Sequence, residues 1–348
     1  MSGASDTGAP GPRIEIGHGG GGVLSRELVE RVFRPAFANP ILDPLGDAAL
    51  LPGALAAPGE RLAFATDAHV VQPLFFPGGS IGAMAVNGTV NDLAMAGARP
   101  RYLSAAFVLE EGLPIELLER AVAAMATAAR TAGVAVVTGD TKVVERSRGD
   151  GLVIVTSGLG VIPAGRLLGA EPPRAGDALL VSGPVGSHGM AVLAARGDLA
   201  LDAAIESDCA PLAGAVEALL AACPRTRLLR DPTRGGVAAA LNEIAASAAI
   251  AIEIGPEGVP VEPAVAAACE LLGLDPLSVA SEGRFLAVVP EADAAAALAA
   301  LRAHPLGTRA ARIGAVVAGR PGAVVARSPY GGRRLVPMPL GEQLPRIC

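Results

Sequence analysis

The chain has 348 residues, 51% hydrophobic and 18% charged, with aromatics at only 3% and a net charge of -6. That length accommodates two domains of ordinary size. The negative charge and scarcity of aromatic platforms disfavour a nucleic-acid partner, and no run approaches the roughly 18 apolar residues of a spanning helix, so no membrane association is expected.

Residues 1–16 read as a disordered lead-in without the basic region and apolar run of a signal peptide; its last four residues, 13–16, fit a short strand. The glycine run 19–22 follows, then a helix in which Leu24, Leu28, Val32 and Phe37 recur near helical spacing. Gly17, Gly19 and Gly22 satisfy GxGxxG, but a four-glycine run does so by composition. The acid expected about 20 residues further on is missing, since Asp43 stands among prolines. A dinucleotide site, a backbone strap over a nucleotide and a plain linker all remain open here, with the strap preferred over the dinucleotide site.

A strand at 62–66 ends at Thr66-Asp67, and a helix at 81–97, rich in small residues, carries Asn91 and Asp92. Then come a strand at 102–109, a helix at 115–131 and a buried strand at 134–138 that stops at Gly139-Asp140-Thr141-Lys142. A strand at 152–159 precedes a cluster of Pro, Gly and Arg at 163–176, which reads as a domain boundary. Beyond it the pattern restarts with a strand at 178–182, a glycine loop at 183–189 containing His188, and helices at 190–196 and 212–221. A strand at 227–230 runs into Asp231-Pro232-Thr233-Arg234-Gly235-Gly236. Helix 237–247, strand 250–254, helix 262–272, strand 284–289, helix 291–303 and strands 313–318 and 323–327 complete the second unit. The alternation indicates α/β layers in both units, 17–162 and 163–330. Residues 331–348 lack periodicity and read as a mobile tail.

No Gly-Lys-Ser/Thr occurs, so ATP would not be held by a Walker loop. Isolated acids near element ends offer another means: Asp47, Asp67, Asp92, Asp140 and Asp231. Strand ends face the ligand crevice in α/β layers, and magnesium is usually held by few carboxylates plus phosphates; any one of these acids also suits a plain turn. Lys142 suits phosphate neutralisation or proton transfer. Glu282, in Ser281-Glu282-Gly283, is a second acid/base candidate, and its alternative is a turn carboxylate. His188 reads as a loop hydrogen-bonder, and the four histidines show no metal spacing. Of the cysteines Cys209, Cys223, Cys269 and Cys348, none has CxxC spacing, so reduced cytoplasmic thiols are expected. Cys348 places a soft nucleophile at the chain's end, on a tail that from Gly331 spans at most roughly 55–60 Å.

With Phe75-Phe76-Pro77-Gly78-Gly79, Gly88-Thr89-Val90-Asn91-Asp92-Leu93, Gly139-Asp140-Thr141-Lys142-Val143-Val144, Ser207-Asp208-Cys209-Ala210-Pro211-Leu212 and Pro345-Arg346-Ile347-Cys348, the chain from about Gly17 to its end resembles the HypE family. These carbamoyl dehydratases make the cyanide ligands of nickel–iron hydrogenases. They fall in the wider superfamily of aminoimidazole ribonucleotide synthetase, selenophosphate synthetase and thiamine-phosphate kinase. The resemblance implies a two-domain PurM-like α/β fold, with N-domain sheets pairing across a homodimer and ATP near that seam. It implies Gly19, Gly20, Gly21, Asp47, Asp67, Asn91, Asp92, Asp140, Thr141 and Asp231 at the nucleotide, with Asp47, Asp67, Asp92 and Asp140 on Mg2+. One departure is Gly46-Asp47-Ala48-Ala49, where superfamily members often carry paired aspartates.

The implied chemistry runs on Cys348. A carbamoyltransferase of the HypF type loads the thiol, ATP phosphorylates the carbamoyl oxygen, a base takes the nitrogen proton, and phosphate leaves a thiocyanate. Lys142 and Glu282 are the candidates for orientation and proton transfer. The tail then delivers cyanide to iron on a HypC–HypD type scaffold. A kinase or synthetase of the same superfamily would consume ATP without Cys348, and a non-enzymatic carrier would not hydrolyse ATP in a tail-dependent way.

Overall fold

The computed structural model describes residues 11–20, 23–45, 48–51, 55–197, 205–328, 330–339, 344 and 347. The first part of the chain contains α1 (Val23–Leu28), α2 (Arg34–Phe37), β1 (Arg61–His69), β2 (Phe75–Phe76), β3 (Gly79–Ser80), α3 (Ile81–Met95), β4 (Arg99–Glu110), α4 (Ile115–Ala132), β5 (Ala135–Val144) and β6 (Leu152–Ile162). Its four-stranded sheet has the order β1-β6-β4-β5, antiparallel except for the parallel β4–β5 pair. The second part contains β7 (Ala178–Val181), α5 (Ser187–Ala195), α6 (Ala213–Ala222), β8 (Leu228–Arg230), α7 (Gly236–Ser247), β9 (Ala251–Ile254), α8 (Pro263–Leu272), β10 (Leu286–Val289), α9 (Ala294–Ala303), β11 (Ala311–Val317), β12 (Val324–Arg327) and β13 (Arg333–Leu335). These strands form one sheet of order β13-β12-β9-β11-β7-β10-β8.

One face of the four-stranded sheet is covered by helices. Ile115, Leu118, Val122 and Met125 of α4 are buried, as their spacing predicts, and Gly133 at φ 69° ends the helix in the left-handed region. The neighbouring α3 is buried almost all round, which its small-residue composition allows. A Cβ on Gly82 would lie 2.0 Å from the Ala121 carbonyl oxygen, so α3 and α4 meet backbone to backbone. The far side of α3 touches α6 and β8. This helix is therefore shared by both halves of the molecule, and it carries Asn91 and Asp92 into the junction between them.

Three local readings of the sequence differ from the structure. Gly139-Asp140-Thr141-Lys142 is not a loop: β5 runs through it to Val144, paired with β4. Gly139 stands mid-strand because a Cβ there would fall 2.3 Å from the Ala105 carbonyl oxygen. Residues 13–16 make only a single bridge, Arg13 to Pro114, and Ile16–Gly19 is a 3₁₀ turn. The stretch after 331 contains β13, an edge strand with exposed side chains that pairs with β12 through backbone alone. Without apolar alternation it had no periodic signature.

Candidate active site

Asp67 and His69 lie two apart on β1, so both face α3. Their side chains pair at 3.3 Å. Gly88 of α3 makes the room, since a Cβ there would come within 2.7 Å of His69 Nε2 and 2.8 Å of Asp67 Oδ2. Burial opposes the charge on Asp67, but the His69 contact and the Ala68 amide hold its pKa below the usual carboxylate range. Asp92 behaves in the opposite way. The protein crowded around it, then the charges of Asp231 and Asp67, raise it to about 6, although part of the residue faces solvent. Asp231 is likewise raised, chiefly by burial.

Glu282 is the deepest acid of this group, 5% exposed, with Oε1 lacking a partner among the described residues. Burial, then Asp231, Asp208 and Asp67, push its pKa well above the ordinary value, with only the Arg234 charge opposing. Its backbone is fixed from three sides. Its amide donates to Asp208 Oδ1 at 3.0 Å, the Asn91 amide donates to its carbonyl at 3.2 Å, and the preceding Ser281 amide donates to the Pro232 carbonyl at 3.1 Å. Gly283 lets the two loops touch, because a Cβ there would sit 1.7 Å from the Asp208 carbonyl oxygen. Asn91, expected beside a nucleotide, is instead buried: it also donates to the Ala210 carbonyl and accepts from the Leu212 amide. It clamps α3 to the loops that present Glu282.

The chain's own end reaches this junction. Val336 is buried, and its carbonyl accepts from Asn242. Pro339 lies over Gly235, and Leu344 lies over Gly189, whose amide donates to the Ala280 carbonyl. Ile347 is 4% exposed, and its carbonyl accepts from His188 Nε2 at 2.6 Å. His188 is fully buried, and burial depresses its pKa to about 4, so the ring is neutral. Cys348, Asp47 and Gly21 lie outside the described residues. Cys209, Cys223 and Cys269 are free thiols.

Gly19, Gly20, Asp140, Thr141 and Lys142 meet elsewhere, in a cavity of about 480 Å³ between the glycine segment and β5. Its lining includes apolar Val29, Phe33, Phe37 and Leu42 and polar Thr138, Asp140, Thr141 and Lys142. A Cβ on Gly19 would fall 2.5 Å from the Val143 amide nitrogen, so the strap rests directly on the strand. A cavity of that volume with mixed apolar and polar lining fits a nucleotide. Lys142 is the only lysine in the whole sequence.

The expected set of magnesium ligands is divided by this geometry. Asp67 shares a row with Thr156, Ala105 and Gly139 across all four strands, whereas Asp140 belongs to the next row, with Ala106, on the opposite face. Three strand spacings, roughly 14 Å, separate the two rows' ends, so Asp140 and Asp67 of one chain do not share an ion. Among the described residues no three His, Cys, Asp or Glu side chains stand close enough to hold a metal by themselves. The carboxylates of Asp92 and Asp231 beside Asp67, which Arg230 only partly offsets, nevertheless suit a hard cation that is completed by phosphate oxygens. His69 and Asp208 were not singled out as site residues from sequence. The i, i+2 spacing of Asp67 and His69 was the available signal for the first, whereas Asp208 depends on a contact across 74 residues.

The model of AIR synthase related protein, N-terminal domain, matches residues 45–162, and that of the C-terminal domain matches residues 174–327. Carbamoyl dehydratase HypE of Rhodobacter capsulatus is 54% identical over 336 residues, covering 97% of this chain and 98% of that protein. The crystal structure of hydrogenase maturation protein HypE in complex with ATP has a TM-score of 0.90 at 47% identity, over 96% of this chain and 99% of that one. The crystal structure of a HypE–HypF complex matches with a TM-score of 0.77 at 44% identity, over 90% and 99%.

Proposed function

Because the chain belongs to the AIR synthase related family, and within it to the HypE carbamoyl dehydratases, we propose that it converts an S-carbamoyl group on Cys348 into a thiocyanate in an ATP-dependent reaction. The observation that carries this reading is the docked tail: Ile347, the residue before Cys348, is buried beside the loops that hold Glu282, whose Oε1 lacks a partner among the described residues.

Turning a carbamoyl group into a nitrile removes its oxygen and both N–H protons. The amide oxygen is a poor leaving group, and ATP, when bound, supplies the phosphoryl group that changes this. Asp67 and Asp92, with Asp231 beside them, would hold magnesium, which screens phosphate charge. Glu282 takes one proton from the carbamoyl nitrogen, and the second leaves with the departing phosphate. Its raised pKa makes the carboxylate a stronger base than an exposed one, and its fixed backbone sets the geometry. Lys142, Asp140 and Thr141 bind the nucleotide from β5, and Gly19 and Gly20 close over it.

Among the described residues, no helix covers the second face of the N-terminal sheet, which carries Asp140 and Lys142. Phe64 and Leu62 of edge strand β1 lie on that same face, 71% and 49% exposed. Pairing of this face across a homodimer would bury them and bring the two halves of the site together. A carbamoyltransferase of the HypF type loads Cys348 in the cytoplasm, and a HypC–HypD type iron scaffold receives the cyanide. No helix among the described residues is long and apolar enough to cross a membrane.

The test is mass spectrometry of the C-terminal peptide after incubation with carbamoyl phosphate, the carbamoyltransferase and ATP. The carbamoyl adduct should appear first and then lose the mass of one water. Cyanide production by a Cys348→Ala variant would refute the reading.

A further inference from the structure

The dehydratase reading requires the tail to be available to a loading partner and then held still for dehydration. Nothing so far says what holds it. Among the described residues, the contact closest in sequence to the chain's end is that of His188 with Ile347, and the His188 ring is also met by the Ser207 segment and the β2–β3 hairpin. Its Nδ1 lies 2.9 Å from Ser207 Oγ, and that hydroxyl oxygen accepts the Cys209 amide at 3.1 Å. The ring of Phe76 meets it edge-on at 5.4 Å. The β2–β3 hairpin is tied to the same segment: the Ser207 amide donates to the Pro77 carbonyl at 2.8 Å, and a Cβ on Gly78 would collide with Ser207 backbone at 2.6 Å.

These contacts decide the tautomer. A neutral imidazole has one N–H. The Ile347 carbonyl only accepts, so the proton is on Nε2, and Nδ1 accepts from the Ser207 hydroxyl. Resting on the dehydratase reading, we propose that His188 is a positioning residue that latches the C-terminal tail by its last peptide carbonyl, so that Cys348 is held in register for dehydration. The peptide unit is planar, so holding the Ile347 oxygen orients the group from which Cys348 is attached. The latch grips backbone, not the thiol, so it acts alike on the free, carbamoylated and cyanated chain. Selection among those states therefore falls to the acidic site and to the partners.

The experiment uses the full chain and two substitutions. His188→Phe keeps a ring against Phe76 and removes the donor, whereas His188→Gln keeps an N–H donor. Three quantities are read on the C-terminal peptide: the alkylation rate of Cys348 by iodoacetamide, carbamoyl loading by the carbamoyltransferase, and single-turnover conversion of the loaded chain to thiocyanate. Loss of one such hydrogen bond corresponds to about a tenfold change. His188→Phe should raise alkylation and slow conversion by factors whose product is about ten, and leave loading equal or faster; His188→Gln should restore all three toward the original values. Opposite movement of loading and conversion is not what a general loss of structure produces. Should His188→Phe fail to fold, Ser207→Ala removes the hydroxyl that fixes the tautomer and should raise alkylation by a smaller factor. Unchanged alkylation in the folded variants overturns the latch. If the unaltered chain forms no thiocyanate, the dehydratase reading fails, while the alkylation measurements still decide the latch.

Discussion

At the scale of single residues, burial sets the chemistry. Glu282 is buried, its Oε1 lacks a partner among the described residues, and its pKa lies well above the ordinary value. Glu282→Gln keeps the shape and hydrogen-bonding capacity but cannot take up a proton. Conversion of the carbamoylated chain should fall about 10²–10⁴-fold, with carbamoyl loading and the thermal midpoint little changed. Normal conversion would remove Glu282 from the reaction. His188 gives a pH dependence of definite sign. Its pKa falls from 6.5 to about 4 on folding, because burial disfavours the cation. Between those values the unfolded chain binds the extra proton, so this group's contribution is intact above pH 6.5 and is lost as pH falls toward 4. The shift corresponds to about 3 kcal/mol. Urea unfolding at several pH values should therefore show His188→Gln losing less stability than the unaltered chain between pH 6.5 and 4, with parallel behaviour above 6.5. Parallel behaviour throughout would mean that His188 is not buried as a neutral ring.

At the scale of elements, close backbone approach matters more than propensity. The loop bearing Glu282 lies on the Asp208 loop with no space for a side chain at Gly283. Gly283→Ala should separate the loops, break the Glu282 amide's bond to Asp208 and cost about 2–4 kcal/mol. Conversion should collapse although every acidic side chain is retained; a midpoint of urea unfolding equal to that of the original would contradict the contact. The same kind of approach explains what the sequence concealed. Strongly periodic segments such as β4 and α4 are legible because their buried faces repeat with the element's own period. Gly139 looks like a strand end, but it is the residue that lets β5 lie against β4. Hairpin β2–β3 is too short for any period, and β13 is held by its ladder and by ion pairs of Arg333 with Glu253 and Arg334 with Asp275, none of which is periodic. In the site, Asp67, Asp92, Asp231 and Glu282 are legible from their places near element ends. His69 is legible only through its i, i+2 spacing from Asp67, and Asp208 is not, since its contact with the Glu282 amide spans 74 residues. Asn91 is legible as important but not for its reason, because only the fold shows its amide bound to Ala210, Glu282 and Leu212.

At the scale of the molecule, the candidate groups of one chain stand in two separate places. The acidic group lies at the helix-covered face of β1, and Asp140 and Lys142 lie three strands away on the uncovered face. An open sheet face with an exposed Phe64 and Leu62 at its edge is costly in water and favours burial against a like surface. If the face pairs across a homodimer, a charge at Phe64 must be desolvated there, whereas in a monomer it would sit in solvent without consequence. Phe64→Asp should therefore leave the thermal unfolding of the isolated chain nearly unchanged and weaken dimerisation at least about 100-fold, the scale of losing a central aromatic anchor and burying a charge. Sedimentation equilibrium measures the association. Nucleotide binding and conversion should fall with the dimer, and both should recover as protein concentration is raised. Alkylation of Cys348 should stay at its original rate, because His188, Ser207 and Phe76 belong to the same chain as the tail. A Phe64→Asp chain that remained dimeric would place the interface elsewhere; one that became monomeric with full conversion would mean that a single protomer's site is complete.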